Sequence, residues 1–288
     1  MEELTFEQTD RSVVLVKSNS AASHLTIPDT WQGKPVREIG RYAFANHAQL
    51  RRITLPSELV CINNHAFFNC SQLSHVALRS NGLHSVGDGA FKNCRALHHI
   101  SVRGLTYLKS IVTDFSNAVI LTTVTTDGQT VVLLFPEYDY TFQEIIPPRE
   151  FRSVTYGSGS FYRMCVTRSG IDFAEYDRTF PRAVREDEPS VAREIALYRL
   201  QYPYQLRSTY REHYRSYLRE HAAETVSAVL ASRDIPRLEL LLREDILAQS
   251  ELDAAISEGA ALDFPEGVSL LMDHRLSHFG SARRRFVL

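Results

Sequence analysis

Three short features of the sequence carry residue types that could perform chemistry. Cys165 supplies a thiol, the run Gly157-Ser-Gly-Ser160 offers amides and hydroxyls to a phosphate, and His98-His99 places two imidazoles side by side. The thiol has no base evident in the sequence, and the run lacks both the third glycine of a dinucleotide motif and a following Lys-Ser/Thr. Strand alternation would turn the two imidazoles to opposite faces. We therefore interpret the glycine-serine run as a flexible turn and expect no chelation by His98 and His99 together.

The motifs of common enzyme classes do not occur either. The sequence contains no His-Glu-x-x-His, no phosphate-binding loop and no Gly-x-Ser-x-Gly. Cys-x-x-Cys, the usual signature of a zinc ribbon, is also missing. These observations predict that the protein is not an enzyme and uses no cofactor or metal. An enzyme with its site in a cleft between domains remains a less favoured alternative.

The composition is that of an ordinary globular protein. The 288 residues are 44% hydrophobic and 23% charged, with a net charge of -2 and four cysteines. Such values exclude a disordered, collagen-like or disulfide-stapled chain. Glu2 and Glu3 stand where an export signal needs basic residues, and the best apolar run, Val131 to Phe135, is far shorter than the roughly 18 residues of a membrane span. We expect a cytoplasmic protein with reduced thiols and no membrane contact.

A repeat of 23 or 24 residues organises the first hundred positions. Phe44, Phe67 and Phe91 are 23 and 24 residues apart, and the leucine and isoleucine positions around them recur at the same spacing. Leu25-Thr-Ile-Pro28 repeats the end of the first full copy, Ile53-Thr-Leu-Pro56. A decayed copy is expected at Leu108 and Ile111. Ladders that coincide at one period predict stacked coils that share a continuous core.

These residues resemble the BspA-type leucine-rich repeat, whose pattern is an Ile-Gly, an Ala-Phe, a Cys and then Leu-x-x-Ile-x-Leu-Pro. The resemblance covers about residues 12 to 112, and the first copy departs from it by having His47 in place of cysteine. It implies a right-handed solenoid with one short strand per coil, which binds proteins or other large ligands rather than catalysing a reaction. Cys70 and Cys94 would then lie roughly 5 Å apart, within disulfide reach, although two buried thiols are the favoured interpretation.

Alternation along each repeat strand predicts which side chains face outward. The first outward column, named here the His/Arg column, contains His24, Arg52, His75 and His99. Beside it lies the hydroxyl column, Thr26, Thr54, Ala77 and Ser101. A third column contains Ser23, Arg51, Ser74 and His98. The residues predicted to bind a partner are His24, Arg52, Thr54, His75, His99 and Ser101.

Three interpretations of this face remain open. It is a solvated polar surface, a binding surface for an acidic or polar partner, or a metal site. The metal site is the least favoured, because no carboxylate or third imidazole clearly completes a shell around His75 and His99. If the face binds anions, the affinity should rise below about pH 6.5 as histidine gains a proton.

After residue 112 the periodicity changes. Ala118 to Thr126 and Gln129 to Phe135 predict a β-hairpin that extends or caps the solenoid, with Asp127-Gly128 in a type I′ turn. Pro147-Pro148 predicts a break. Phe161 to Arg168 alternates as a strand would, and Ile171 to Phe180 suits a short helix.

The last hundred residues have helical periodicity. The first predicted helix covers 191–201, and a second begins at a capping box, Thr209-x-x-Glu212. Further helices are predicted at 225–231, 237–243, 252–256 and 267–272. Ser250-x-x-Asp253 predicts a cap at the start of the helix that contains 252–256. Paired helices with Leu-Leu runs 30 residues apart are weakly similar to ankyrin repeats. One helix carries a tyrosine stripe beside arginines, listed as Arg207, Arg211, Arg215 and Arg219, and Arg283-Arg-Arg285 ends the chain.

The sequence thus predicts an α+β protein: a short leucine-rich-repeat solenoid, a β-hairpin cap and an all-helical domain. The domain boundaries are 1–112 for the solenoid, 113–186 for the β-rich connecting segment and 187–288 for the helices. We expect a non-catalytic protein–protein interaction module that uses the solenoid face and the helical tail. The alternative is a nucleic-acid-associated factor that uses the tyrosine/arginine helix and the basic C-terminus.

Overall fold

The computed structural model describes residues 4–80, 82–105, 108–113, 116–145, 150–167 and 169–279. Pro147-Pro148 and Arg283-Arg-Arg285 lie outside the described residues. The chain forms two compact units, Met1–Ala192 and Arg193–Leu288. The predicted fold class is confirmed, because a β-solenoid is followed by a helical region. The domain boundaries at 112 and 186 stay predictions.

The strands of the first unit are β1 Leu4–Gln8, β2 Val13–Ser18, β3 His24–Thr26, β4 Thr30–Trp31, β5 Lys34–Ile39, β6 Arg52–Leu55, β7 Cys61–Ile62, β8 His75–Leu78, β9 Ser85–Val86, β10 His99–Arg103, β11 Val119–Val124, β12 Thr130–Phe135, β13 Asp139–Ile145 and β14 Glu150–Tyr156. The helices are α1 Lys109–Val112, α2 Gly159–Met164, α3 Phe173–Arg178, α4 Phe180–Glu186, α5 Pro189–Gln201, α6 Ser208–Glu220, α7 Ala222–Ser232, α8 Ile235–Arg243, α9 Gln249–Ala261 and α10 Pro265–His278.

Each repeat copy contributes to two sheets. One sheet has the order β12-β11-β10-β8-β6-β3, and the other has the order β1-β2-β5-β7-β9 with β4 beside β5. The expectation of one short strand per coil is therefore wrong. A coil forms a longer strand such as β6 and then a two-residue strand such as β7 on the second sheet. In the second and third copies this part of the repeat is extended for only two residues, which is too short for alternation to reveal it.

The core follows the predicted ladders. Phe44, Phe67 and Phe91 are buried and stack on one another, with ring centroids 5.0 and 5.1 Å apart. These distances match the spacing of neighbouring strands, so each coil places its ring on the preceding one. Cys70 and Cys94 form no disulfide, and their thiols donate hydrogen bonds to the carbonyl oxygens of Phe44 and Phe67, at 3.0 and 3.2 Å.

A left-handed backbone position recurs in three successive coils and was not predicted from the sequence. Asn46, Asn69 and Asn93 have φ values of 63°, 62° and 65°. Asparagine tolerates this conformation better than most residues. Asn69 Nδ2 also donates to Asn46 Oδ1 at 2.8 Å, which forms a ladder between coils. The repeated asparagine is therefore a signal for this turn, separate from the hydrophobic period.

Gly87 allows two successive coils to approach closely. Its amide donates to the Ile62 carbonyl at 2.7 Å, and a Cβ at Gly87 would lie only 2.4 Å from the backbone nitrogen of Asn64. We expect Gly87→Ala to lower the free energy of unfolding by about 1–3 kcal/mol, because the backbone of Asn64 must move as well as its side chain. Urea unfolding followed by the fluorescence of Trp31, the single tryptophan, measures this effect within the repeat unit.

Gly82→Ala is the matched control, since the nearest atom to its added Cβ is Ser80 Oγ at 3.7 Å. Its urea midpoint should stay close to that of the wild type. Equal midpoints for the two alanine variants would contradict a close-packing role for Gly87.

The hairpin continues the solenoid as predicted. β11 pairs in parallel with β10 and antiparallel with β12, so it adds two strands to the sheet. The type I′ turn is wrong, because Gly128 has a positive φ of 81° whereas Asp127 is not among the described residues with positive φ. Instead the Gly128 amide donates to Thr125 O at 3.0 Å, and the Thr125 amide donates to Gln129 O at 2.9 Å, which makes a longer loop. Leu108 and Ile111 of the decayed copy are buried. Ile111 lies in the short helix α1 and Leu108 directly precedes it, where a repeat strand would otherwise be expected.

The segment after the hairpin differs from its prediction. The strand at 161–168 is wrong: residues 159–164 form α2, with Tyr162 and Arg163 buried. An alternation of apolar and polar residues over so few positions does not distinguish a strand from a short buried helix. The short helix at 171–180 is confirmed in part by α3, and α4 follows it directly.

The helices predicted in the last hundred residues are present as α5 to α10. The two predicted caps are wrong, because α6 begins at Ser208 after Arg207 and α9 begins at Gln249 after Ala248, neither with a side-chain cap. Side chains cap two other helices instead, where Asp172 accepts from the Glu175 amide and Asp234 from the Arg237 amide, each at 3.0 Å. Within the described part of the chain, no helix is long and apolar enough to cross a membrane.

Candidate functional site

The parallel sheet aligns the predicted His/Arg column. His24 pairs with Arg52, Arg52 with His75, and His75 with His99 on successive strands. His24 and Arg52 are exposed, and His75 and His99 are half-buried. Because paired residues of adjacent strands lie on the same face about 4.8 Å apart, the four side chains form one continuous row.

The hydroxyl column runs beside this row. Thr26 pairs with Thr54, Thr54 with Ala77, and Ala77 with Ser101. The column continues to Thr122 on β11, whose hydroxyl lies 3.0 Å from His99 Nε2. The structure therefore brings all six predicted binding residues onto one sheet face, and their role in binding stays a prediction.

Serines of the third column orient the histidines. Ser74 Oγ donates to Arg51 O at 2.9 Å and lies 2.8 Å from His75 Nδ1. Since the single hydroxyl proton goes to a carbonyl, Nδ1 of His75 must be the donor to Ser74. Nε2 then carries the lone pair of neutral His75 and becomes a second donor when the ring is protonated. Ser23 Oγ likewise lies 3.0 Å from His24 Nδ1.

His98 joins the His/Arg column, contrary to the expectation that it would face away from His99. The centroid of the His75 ring lies 4.9 Å from that of His98 and 5.3 Å from that of His99. The reason is that β10 begins at His99, so His98 precedes the strand and does not follow its alternation. Its Nδ1 is held 2.8 Å from the Ala96 carbonyl oxygen.

The face is an electropositive environment for these imidazoles. Burial lowers the pKa of His75, and the positive charges of Arg52 and His98 lower it further. Burial also lowers the pKa of His99, reinforced by His98 and Arg52. The strands β3, β6, β8 and β10 contain no aspartate or glutamate that would oppose this effect. An anion on the face would meet cations without displacing a carboxylate from these strands.

The other candidates for chemistry have structural partners. Cys165 is buried, and burial raises its pKa to about 12, so it is not an activated thiol. In the glycine-serine run, the Ser158 amide donates to Asp187 Oδ1 at 2.8 Å and the Ser158 hydroxyl donates to Asp187 Oδ2. A carboxylate of the protein thus occupies the position that a phosphate would take.

The arginines of the tyrosine/arginine helix α6 also have partners. Tyr214 and Tyr217 are buried. Arg211 forms an ion pair with the buried Glu244, and Arg215 donates to the Glu244 carbonyl oxygen at 2.9 and 3.1 Å. Arg219 pairs with Glu212 at 2.8 Å. Phosphates would have to compete with these contacts, so the geometry does not favour a nucleic-acid surface here.

Stacked parallel coils with buried leucine, isoleucine and phenylalanine ladders define a leucine-rich-repeat solenoid. The family comparison agrees: residues 18–134 match the BspA type Leucine rich repeat region in six copies. The matched residues include β11 and most of β12, which follow the expected end of the resemblance near residue 112. A comparison of the chain with curated proteins finds no match.

Solved leucine-rich-repeat structures are similar to part of the chain. The T. pallidum Leucine Rich Repeat protein is 24% identical, with a TM-score of 0.33, over 35% of this chain and 51% of that one. A leucine-rich repeat protein from Bacteroides capillosus is 29% identical, with a TM-score of 0.32, over 35% and 78% of the two chains. A leucine rich cell surface protein from Faecalibacterium prausnitzii is 23% identical, with a TM-score of 0.30, over 35% and 32%. The match thus spans about half the length of the T. pallidum protein.

Proposed function

We propose that this protein is a non-catalytic protein–protein interaction module whose solenoid sheet binds an acidic segment of a partner. The observation that carries the proposal is the His/Arg column, a row of four cationic or imidazole side chains on strands that contain no acidic residue. The leucine-rich-repeat family supports an interaction role at the level of class.

The chemistry of the face selects carboxylates. Arg52 offers a bidentate donor, and His75 offers Nε2–H once it is protonated. Thr54 and Ser101 add neutral hydroxyl donors beside the charges. A strand spacing of about 4.8 Å presents these donors at regular intervals along an extended acidic segment.

The helical unit is proposed as a second contact surface. Met272 and Leu276, one turn apart on α10, are 41% and 68% exposed, which supports contact with an apolar surface of a partner. A cytoplasmic location belongs to the same proposal and is supported by Cys70 and Cys94, whose hydrogen bonds require reduced thiols.

Binding should strengthen as the pH falls. His75 and His99 have pKa values below the ordinary 6.5 in the free protein, and a bound carboxylate raises them by favouring the charged ring. Binding therefore takes up protons. With about 0.5–1 kcal/mol for each surface ion pair, Kd should fall about 10-fold between about pH 7.5 and about pH 5.5. Fluorescence anisotropy of a labelled oligoglutamate peptide measures this dependence.

The double variant His75→Gln with His99→Gln is the control, because glutamine keeps a polar side chain and does not titrate. Its Kd should change less between the two pH values than that of the wild type, because only His24 and His98 remain on the face. Equal binding by the wild-type protein at both pH values would contradict the assignment of these histidines to the binding face.

A further inference from the structure

We propose that Asp245, His274 and His278 bind a divalent transition-metal ion of the zinc type. One possible ligand atom from each residue lies within 4.8 Å of the other two. Among the described residues, no other three His, Cys, Asp or Glu side chains come together in this way. The three residues are remote in sequence from the repeats, and the sequence analysis predicted no metal. The site is independent of the proposed binding face.

Helix geometry brings the two imidazoles together. His274 and His278 are four residues apart on α10, so they occupy neighbouring turns of one face. Their rings stack with centroids 3.9 Å apart and an interplanar angle of 19°. Asp245 follows α8, and α10 packs against α8, which brings the carboxylate to the same position.

The orientation of His278 suits metal binding. Its Nδ1 lies 3.2 Å from the His274 carbonyl oxygen and 2.9 Å from Ser277 Oγ, while Ser277 itself donates to that carbonyl at 2.9 Å. Because the Ser277 proton goes to the carbonyl, Nδ1 carries its own proton and donates it to Ser277 Oγ and the His274 carbonyl oxygen. This leaves Nε2 as the ligand atom, and a backbone carbonyl is a common partner for the second nitrogen of metal-bound histidine.

The donor set decides the kind of ion. Two imidazole nitrogens and one carboxylate oxygen suit Zn²⁺ and its neighbours, whereas Mg²⁺ and Ca²⁺ prefer oxygen ligands alone. Ligands at roughly 2.1 Å from a tetrahedral ion lie closer together than 4.8 Å, so small rotations of exposed side chains would close the shell. The Arg215 guanidinium lies 3.9 Å from one Asp245 oxygen, a distance that leaves the carboxylate able to bind the ion.

A metal at this position would connect the loop after α8 to the end of α10. Because a ligand that binds the folded state stabilises it, Zn²⁺ should raise the melting temperature of the helices. Three protein ligands would leave one position of a tetrahedral shell for water or for a donor atom of a partner.

The test is isothermal titration calorimetry of the full-length protein with Zn²⁺, combined with thermal melting by far-ultraviolet circular dichroism. We expect one Zn²⁺ per chain at this site, an increase in melting temperature, and no competition by excess Mg²⁺. His274→Gln, His278→Gln and Asp245→Asn should each weaken binding by at least about 10-fold, because even outer-shell partners contribute that much. The Asp245→Asn substitution also suits the left-handed backbone of this position, where φ is 51°, since asparagine tolerates that conformation.

The control is His75→Gln with His98→Gln, which removes the neighbouring imidazoles of the solenoid face and should leave this Zn²⁺ site intact. The proposal is overturned if Zn²⁺ neither binds nor raises the melting temperature. It is also overturned if binding survives in all three ligand variants and disappears in the control. Should a histidine variant melt early without metal, Asp245→Asn decides the result.

Discussion

Replacing Arg163 with methionine is expected to lower the free energy of unfolding of the repeat unit by about 3 kcal/mol or more. Arg163 is only 3% exposed and makes no carboxylate contact among its described hydrogen bonds. Its guanidinium instead donates to the carbonyl oxygens of Val112, Asn117, Pro136 and Gly159, at 2.6 to 3.1 Å. These acceptors lie in α1, just before β11, just after β12 and in α2 itself.

The size of this effect follows from what methionine leaves behind. Methionine fills a similar volume but cannot donate, so buried carbonyl oxygens lose their partner. The guanidinium stays charged at neutral pH, because burial lowers the pKa of Arg163 only to about 10. The Tyr138 ring, 4.9 Å from the guanidinium carbon, adds a cation–π contact.

Urea unfolding followed by Trp31 fluorescence measures the change. Arg185→Met is the matched control, because Arg185 is exposed on α4 and its loss should change stability by less than about 0.5 kcal/mol. If the two variants unfold at the same urea concentration, Arg163 does not hold the connecting segment together.

The sequence predicted the His/Arg column because the repeat period fixes the pairing of parallel strands. Once Phe44 and Phe67 are aligned, Arg52 must pair with His75, and alternation determines the face. His98 escaped this reasoning because the start of a strand is not fixed by the period. One residue outside β10 was enough to change the face on which its ring lies.

The features that sequence reasoning missed depend on contacts between distant residues. Ser158 meets Asp187, and Arg163 meets Val112 and Asn117, without any periodic pattern that records these contacts. The predicted strand at 161–168 failed for the same reason, since burial on several sides imitates alternation. The helices of the second unit were predictable because each buries one stripe at a period of 3.6 residues.

Reversing the charge of the His/Arg column is expected to abolish binding of an acidic segment. The variant carries Arg52→Glu, His75→Glu and His99→Glu on three adjacent strands. Each substitution replaces an attraction with a repulsion worth about 1 kcal/mol at an exposed site, so the three together should raise Kd about 100-fold. All three side chains are exposed or half-buried, and glutamate should leave the fold intact.

Net charge alone must be separated from this local effect. Lys17→Glu with Arg185→Glu gives the same change of net charge at neutral pH, because a change from a cation to glutamate counts twice as much as one from neutral histidine. Lys17 is on β2 of the second sheet and Arg185 is on α4; both are exposed, and neither element belongs to the sheet that carries the His/Arg column. This control should bind oligoglutamate with a Kd within a few-fold of the wild type.

The most direct measurement is therefore the Kd of the labelled oligoglutamate peptide for the wild-type protein, the column variant and the charge-matched control, at one pH and one salt concentration. Circular dichroism melting establishes that all three are folded. A loss of about 100-fold in the column variant, with the control near the wild type, is the result that the proposed interaction face predicts. Equal losses in both variants, or no loss in either, would contradict it.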